Sequence, residues 1–331
     1  MKKIVADRDI PFLKGVFEPF AEVVYLDGKS ISRADVQDAD ALIVRTRTRC
    51  NAGLLDGTSV GFIATATIGT DHIDLEYCRS HGIGVANAEG CNARGVLQWV
   101  GAVLVKWLGM KGLKPSDLRI GVVGVGHVGS LVSSYAEAWG FKVLCCDPPR
   151  EEREHLGFVS IEELLANSDI VTFHTPLDST TYHLADSKLL PYGDRLFVIN
   201  ASRGEVVDTE ALLASGAECA IDVWEHEPEI DRRLLSKALV ATPHIAGYSL
   251  QGKANAAAMA VAAVAGHFGL PLGGWYPEGV EHVEPRIISW DSLCGTIGRH
   301  YDIDAESARL KARPEEFESM RNGYAYRNEY F

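Results

Sequence analysis

Short, nearly all-apolar runs recur along the chain, each followed by a turn or an amphipathic stretch, and no other feature restricts the fold so tightly. KKIVAD, EVVYLD, DALIVRT, VGFIATAT and IGVANA fall in the first 90 residues. A second series begins at residue 119: RIGVVG, FKVLCCD, DIVTFHTP, RLFVINAS, CAIDVW and ALVATPH, with helical patterns such as SLVSSYAEAWG and SIEELLANS between them. Runs this short and this apolar suit strands covered on both faces, and their alternation with helices is the rhythm of a parallel sheet. The expected class is α/β, built as two doubly wound parallel-sheet domains. ARGVLQWVGAVLVKWLGMKG reads as a long apolar helix connecting them.

After His267 the pattern stops. GLPLGGWYPEGVEHVEP, dense in Gly and Pro, reads as an irregular crossing, and ISWDSLCGTIGRHYDI and PEEFESMRNGYAYRNEYF beyond it read as helices. The expected division is 1–92 completed by 250–270, then 93–249, then a small tail, 271–331, marginal for a core of its own. Such a tail is expected to pack on another subunit or on the main body.

Bulk properties remove several classes of function. A formal charge of -13 opposes attraction to nucleic acid or anionic lipid, so neither is expected as a partner. No run approaches the roughly 18 apolar residues of a membrane span, so no membrane association is expected and the reading is cytoplasmic. The seven cysteines are odd in number and scattered, which suits reduced thiols. His72, Cys78 and His81 are the one arrangement worth weighing for metal, and without a second ligand pair no metal is expected.

GVGHVG, Gly124 to Gly129, gains its meaning from context: an apolar strand precedes it, a helix opens on it, and the next strand ends in Asp147. Gly124 permits the tight turn, Gly126 lets backbone approach a pyrophosphate, and Gly129 lets helix and strand pack closely. The helix start, His127 and Val128, then offers N–H groups to the phosphates. Asp147 can accept from both ribose hydroxyls and repels a 2′-phosphate, so the cofactor expected is NAD. Arg150 is the residue placed to soften that preference.

In open α/β sheets ligands bind at the carboxyl ends of the strands, so polar residues just past the apolar runs carry most weight. Thr175 follows one run, Ala201-Ser202-Arg203 the next, then Asp222 with Glu225, His226, Glu227 and Glu229, then His244. Oxidising an alcohol with NAD requires a base for the hydroxyl proton and positive charge to hold the substrate. His244 suits the first task and Arg203, with its planar fork, the second. Taken singly, each could be a surface charge or a turn residue; the set is what points to chemistry.

INASRGEVVD, DVWEHEP and TPHIAGYS, in that order after GVGHVG, resemble the D-2-hydroxyacid dehydrogenase family. The resemblance implies a Rossmann NAD-binding domain, a flavodoxin-like substrate domain, and a catalytic set of Arg203, Glu227 and His244, with Glu227 as partner of the base. It places Thr175, Ala201, Ser202, Arg203, Asp222 and Gly247 on the cofactor, and leaves Glu225, His226 and Glu229 as a solvated rim. VRTRTRC, ATATIGTDHID, EGCNA, LCCDPPR, HIAGYSLQGKA and YAYRNEYF narrow it to a branch whose substrate is a phosphorylated hydroxy acid and whose tail is a small α+β dimerisation domain of a homodimer. Thr46, Thr67 and Tyr248 then fall at substrate positions. Read as a strand, VRTRTRC sends Arg45, Arg47 and Arg49 to one face, and Arg45 is the candidate for the phosphate end. Arg299, Arg309 and Arg313 are the tail cations considered for reaching a neighbouring site. Gln98 departs from the family's usual Glu, and Gly95 inside its helix costs about 1 kcal/mol relative to Ala. Two alternatives remain open: another 2-hydroxyacid dehydrogenase, such as one acting on 3-phosphoglycerate, and a non-catalytic NAD-sensing module.

Overall fold

The computed structural model describes residues 1–155, 157–190 and 195–331, and the chain divides into two units. The first comprises Met1–Asn92 with Leu250–His282. Its five strands, β1 (Lys2–Asp7), β2 (Ala21–Leu26), β3 (Ala41–Val44), β4 (Phe62–Thr65) and β5 (Gly84–Ala86), are all parallel in the order β2-β1-β3-β4-β5. Side chains alternate faces as a strand requires. Ile4, Ala6, Ile43 and Ala64 pack under Ala257, Ala260, Val261 and Val264 of the returning helix Leu250–Phe268. Val5, Leu42, Val44 and Ile63 face Val36, Leu54 and Cys78 from short helices on the other side.

The second unit comprises Ala93–Ser249 with Val283–Phe331. Its strands are β6 (Arg119–Val123), β7 (Lys142–Cys146), β8 (Ile170–Phe173), β9 (Phe197–Asn200), β10 (Glu218–Ile221) and β11 (Val240–Ala241), parallel in the order β11-β10-β9-β8-β6-β7. Both sheets are doubly wound, as the apolar runs predict. On one face lie the helices Ala93–Lys111 and His127–Trp139, whose Leu97, Val100, Leu104, Val132 and Ala136 share a core with Ile120, Val122 and Ile199. The apolar residues of the other face, Val123, Val171, Phe173, Val198 and Ile221, meet Leu164, Leu212, Trp224 and Leu235. Gly95 has a packing reason to be glycine. A Cβ there would lie 3.3 Å from the carbonyl oxygen of Gly247.

The tail packs on the main body, one of the two placements expected of it. Residues 283–331 do not cluster as a body of their own. Leu293, Ile297, Tyr301 and Phe331 enter the core on one face of the second sheet, and Leu310, Phe317 and Met320 enter the core on the other. A segment of this length buries too little apolar surface alone, so it borrows the main body's. Among the described residues it holds the helices Trp290–His300, Ile303–Ala312 and Phe317–Asn322, with one bridge, Ser249 to Arg327, in place of a sheet. The helix expected through PEEFESMRNGYAYRNEYF therefore stops at Asn322. The expected strand through VRTRTRC also stops early, at Val44, and residues 46–48 turn, so the predicted alternation of arginines and threonines does not hold.

Candidate active site

The strand order of the second sheet reverses between β6 and β8, and the glycine loop leaves β6 at that point. Gly124 has φ of +82°, a conformation L side chains rarely adopt. A Cβ on Gly129 would lie 1.9 Å from the Gly124 carbonyl oxygen, so loop and helix touch backbone to backbone. At Gly126 a Cβ would meet nothing within 4 Å. The open space lies over the start of the helix His127–Trp139, where helical N–H groups have no intrahelical acceptor. Thr175 closes one wall: its Cγ2 sits against Gly124, and its Oγ1 is buried without a hydrogen-bond partner among the described residues. An orphaned hydroxyl beside an open, donor-rich loop fits the pyrophosphate part of a dinucleotide.

Asp147 follows β7 and accepts from the backbone N–H of Val125 (2.7 Å) and of Arg150 (3.0 Å). It ties the glycine loop to the adjacent helix, and its carboxylate keeps further acceptor positions for a ribose. Arg150 donates to the Val125 carbonyl (2.7 Å) and through two nitrogens to Glu154 (2.9 and 2.6 Å). Its charge is thus matched locally, which leaves the NAD preference of Asp147 intact.

Past β9, Asn200 braces the loop that carries Arg203. Its Oδ1 accepts from the Ser202 N–H (3.1 Å) and hydroxyl (2.8 Å), while its Nδ2 donates to the Arg203 carbonyl (2.8 Å). Gly204 follows because a Cβ there would overlap the Trp224 carbonyl carbon at 2.0 Å. Arg203, half-buried, donates to the Ser202 carbonyl (2.9 Å).

The turn after β11 holds the centre of the site. His244 has φ of +57°, a left-handed conformation uncommon for a residue with a Cβ, and such strain persists where surroundings enforce it. The enforcement comes from Asp222. The Asp222 carbonyl accepts from the His244 N–H (2.8 Å), and its carboxylate accepts from Thr242 Oγ1 (2.5 Å) and the N–H groups of Ile245 (2.8 Å) and Ala246 (2.9 Å). Burial pushes the Asp222 carboxyl up against the opposing pull of His244, Thr242 and the two amides. In this structure Asp222 shapes the His244 turn from beneath it, which its family position on the cofactor did not suggest.

His244 Nδ1 lies 2.8 Å from Glu227 Oε2 and 3.1 Å from Oε1. Burial raises the Glu227 carboxyl, but the neighbouring His244, Arg321 and the Trp224 N–H (3.0 Å) outweigh it and hold the group below its ordinary value. An ionised carboxylate against Nδ1 favours the proton on that nitrogen and leaves Nε2 as the nitrogen with a lone pair. Tyr248 and Gly247 follow in the same turn; the Tyr248 hydroxyl accepts from Arg321 Nε at 3.3 Å.

The remaining acids of the cluster divide. His226 and Glu229 are exposed, as expected of a rim. Glu225 is not: its Oε1 lies 2.7 Å from His183 Nε2 and its Oε2 accepts from the Thr209 N–H (2.9 Å). It fastens the start of the helix Thr209–Ala214. Asn200 and Arg321 were not singled out from sequence, and Glu225 was expected only as rim. Arg299, Arg309 and Arg313 are exposed, Arg299 turning to the Gly295 carbonyl and Arg313 to Glu316.

In the first unit, Arg45 follows β3 and faces two carboxylates: Asp7 (Nε to Oδ2, 2.9 Å), which is fully buried, and Asp9 (3.0 Å). A guanidinium so matched is a poor match to the phosphate role expected of it. Thr67 shares its hydroxyl with Thr65 (2.6 Å), which in turn meets His72 Nε2 (3.1 Å), and Thr46 is exposed at the turn. Cys78 is buried in the first core.

Comparison with known proteins gives the family. Residues 97–246 match the family described as D-isomer specific 2-hydroxyacid dehydrogenase, NAD binding domain. The chain is 46% identical to the erythronate-4-phosphate dehydrogenase of Bacteroides thetaiotaomicron, over 99% of this chain and 97% of that one. It is 39% identical to the enzyme of the same name from Porphyromonas gingivalis, over 99% and 93%. A solved structure of NAD-bound 3-phosphoglycerate dehydrogenase from Entamoeba histolytica superimposes with a TM-score of 0.68 at 25% identity, covering 85% of this chain and 99% of that one. With a glycine loop open to NAD and an imidazole paired to a carboxylate in one unit, the chain belongs to the erythronate-4-phosphate dehydrogenases of the D-isomer specific 2-hydroxyacid dehydrogenase family.

Proposed function

We propose that the chain oxidises 4-phospho-D-erythronate at C2 to the 2-oxo acid, using NAD, as a step in making pyridoxal 5′-phosphate. The observation that carries this reading is the 2.8 Å contact between His244 Nδ1 and Glu227 in a chain that matches enzymes of that name along nearly its full length. Bound NAD supplies the hydride acceptor, and the residues fitted to hold it are the glycine loop, Asp147 and Thr175. His244 Nε2 takes the C2 hydroxyl proton. Glu227, ionised, steadies the imidazolium that forms. Arg203 anchors the substrate carboxylate by a two-pronged contact. Thr46, Thr67 and Tyr248 are assigned to the substrate by family position, and Arg45, held by Asp7 and Asp9, is assigned to the fold of the first unit instead.

The working form we propose is a homodimer in the cytoplasm. The seven cysteines form no disulfide and six of them are buried or half-buried, as suits a reducing compartment. Light scattering on the purified protein gives the mass that decides the dimer.

Turnover is tested by NADH absorbance on a panel of hydroxy acids. Phosphoerythronate is the expected substrate; turnover of 3-phosphoglycerate with none of phosphoerythronate overturns the assignment. His244→Asn is expected to lower kcat by about 10²–10⁴-fold while NAD still binds. An NAD sensor would tolerate that substitution with its function intact.

A further inference from the structure

Glu227 Oε2 has two nitrogen neighbours, one from an imidazole and one from a guanidinium, and only the first belongs to the sequence pattern that defines the site. Besides His244 Nδ1, Arg321 Nη1 approaches it at 3.4 Å, and Arg321 Nε lies 3.3 Å from the Tyr248 hydroxyl. We propose that Arg321 is a positioning residue for the oxidation, holding the Glu227 carboxylate and the Tyr248 hydroxyl in one arrangement about His244. The inference rests on His244 being the base.

The placement of Arg321 is built, not incidental. It sits on the helix Phe317–Asn322, one turn beyond Phe317, so it projects from the face that Phe317 and Met320 bury in the second unit's core. Six residues on, Arg327 is buried and donates to the carbonyls of Ile245 (3.0 Å), Tyr248 (3.1 Å) and Gly95 (2.8 Å), and also to that of Ala246. Its guanidinium lies 4.4 Å from the centre of the Tyr301 ring. Ser249 donates to Glu329 at 2.7 Å. The tail therefore docks on the turn that carries His244 at several points, and Arg321 is the one that reaches the reacting pair.

The charges give Arg321 a chemical effect as well as a mechanical one. The charged or titratable groups around Glu227 are His244 and Arg321; Asp222 acts on both of these, and the Tyr248 hydroxyl acts on Arg321. With neutral His244, the Glu227–Arg321 pair sums to zero. The guanidinium keeps Glu227 ionised and at the same time limits how strongly that carboxylate favours imidazolium. Without it, His244 would hold its proton to higher pH and serve as a base only in more alkaline solution.

The test is the pH dependence of kcat/KM in the full-length enzyme with phosphoerythronate and NAD, for Arg321→Met and Arg321→Lys. Arg321→Met is expected to lower kcat about 10- to 100-fold and to move the acid limb up by about one pH unit, with the dissociation constant for NAD unchanged within about twofold. Arg321→Lys returns the limb to its original position and restores part of kcat. An unmoved limb overturns the proposal, as does a tenfold rise in KM for phosphoerythronate with kcat and limb unchanged, which makes Arg321 a substrate contact. If Arg321→Met does not fold, Arg321→Gln reads the same limb; if neither folds, the residue is structural and the proposal falls. His244→Asn separates the two levels of the argument. Retained turnover there removes the base assignment itself, whereas lost turnover with an unmoved Arg321→Met limb removes only the role of Arg321.

Discussion

The two sheets reverse strand order at equivalent places, between β1 and β3 in one and between β6 and β8 in the other, yet the two reversals are furnished oppositely. At the first, Asp7 ends β1 and takes the guanidinium of Arg45 at the end of β3, so charge from one strand meets charge from the next. At the second, β6 runs into a loop whose middle glycine looks onto open space, with an unpartnered hydroxyl alongside. Winding direction makes a crevice in both. Side chains decide which crevice is closed by its own ion pair and which is left to receive a large ligand.

Gly129→Ala and Gly126→Ala probe the open reversal from its two sides, and the first carries the largest expected effect. A Cβ at residue 129 must displace the Gly124 carbonyl, at a cost of about 3 kcal/mol or more. At residue 126 urea denaturation should find stability within about 0.5 kcal/mol of the parent, while KM for NAD rises at least tenfold because the methyl occupies the pyrophosphate's place. Unchanged cofactor affinity in Gly126→Ala would break the comparison.

Arg45→Met tests the closed reversal. Removing the guanidinium leaves buried Asp7 without its partner, and since Arg45 is itself about a quarter exposed (28%) the expected loss is about 2 kcal/mol in urea melts. Adding Asp7→Asn should recover part of it. If stability is unchanged and KM for phosphoerythronate rises tenfold, the first crevice is a phosphate site after all and the contrast fails.

The smallest effect concerns His174, which follows β8 beside the glycine loop. Burial pushes its imidazole down to about 3, and its Nε2 meets Thr172 Oγ1 at 2.9 Å. Between that value and the ordinary 6.5 the unfolded chain binds a proton that the folded chain refuses. Stability contributed by neutral His174 is therefore present above pH 6.5 and lost as pH falls below it, by at most about 1.4 kcal/mol per pH unit. Denaturation at pH 7 and pH 5.5 should show the parent losing about 1 kcal/mol more than His174→Gln. Equal losses would mean that the ring is solvated and this edge of the sheet is wetter than the structure has it.

The sequence made the sheets and the His244–Glu227 contact legible for the same reason: each rests on contacts close in the chain or on a repeating period. Apolar runs announce strands, and a glycine loop between strand and helix announces its ligand. His244 and Glu227 were reachable because each lies just past a strand end. Arg321 was not, since its partner is 94 residues away and SMRN reads locally as a solvated turn of helix. The periodicity of Phe317, Met320 and Arg321 was the signal available, and it shows only that one face turns inward. Glu225 failed in the opposite sense: the lack of a family role left it as rim, while its hydrogen bond to Thr209, 16 residues back, draws it in. The pairing of Arg45 with Asp7 was hidden because the strand expected through VRTRTRC stops at Val44, and Arg45 leaves the ladder there.

The backbone of the His244 turn is gripped from both sides, its amides by Asp222 and its carbonyls by Arg327. A segment so saturated has little latitude to reshape itself around an unfamiliar molecule. Altered substrate choice in enzymes of this kind should then come from changes at other walls of the pocket, with the imidazole kept as a fixed landmark around which specificity is redrawn.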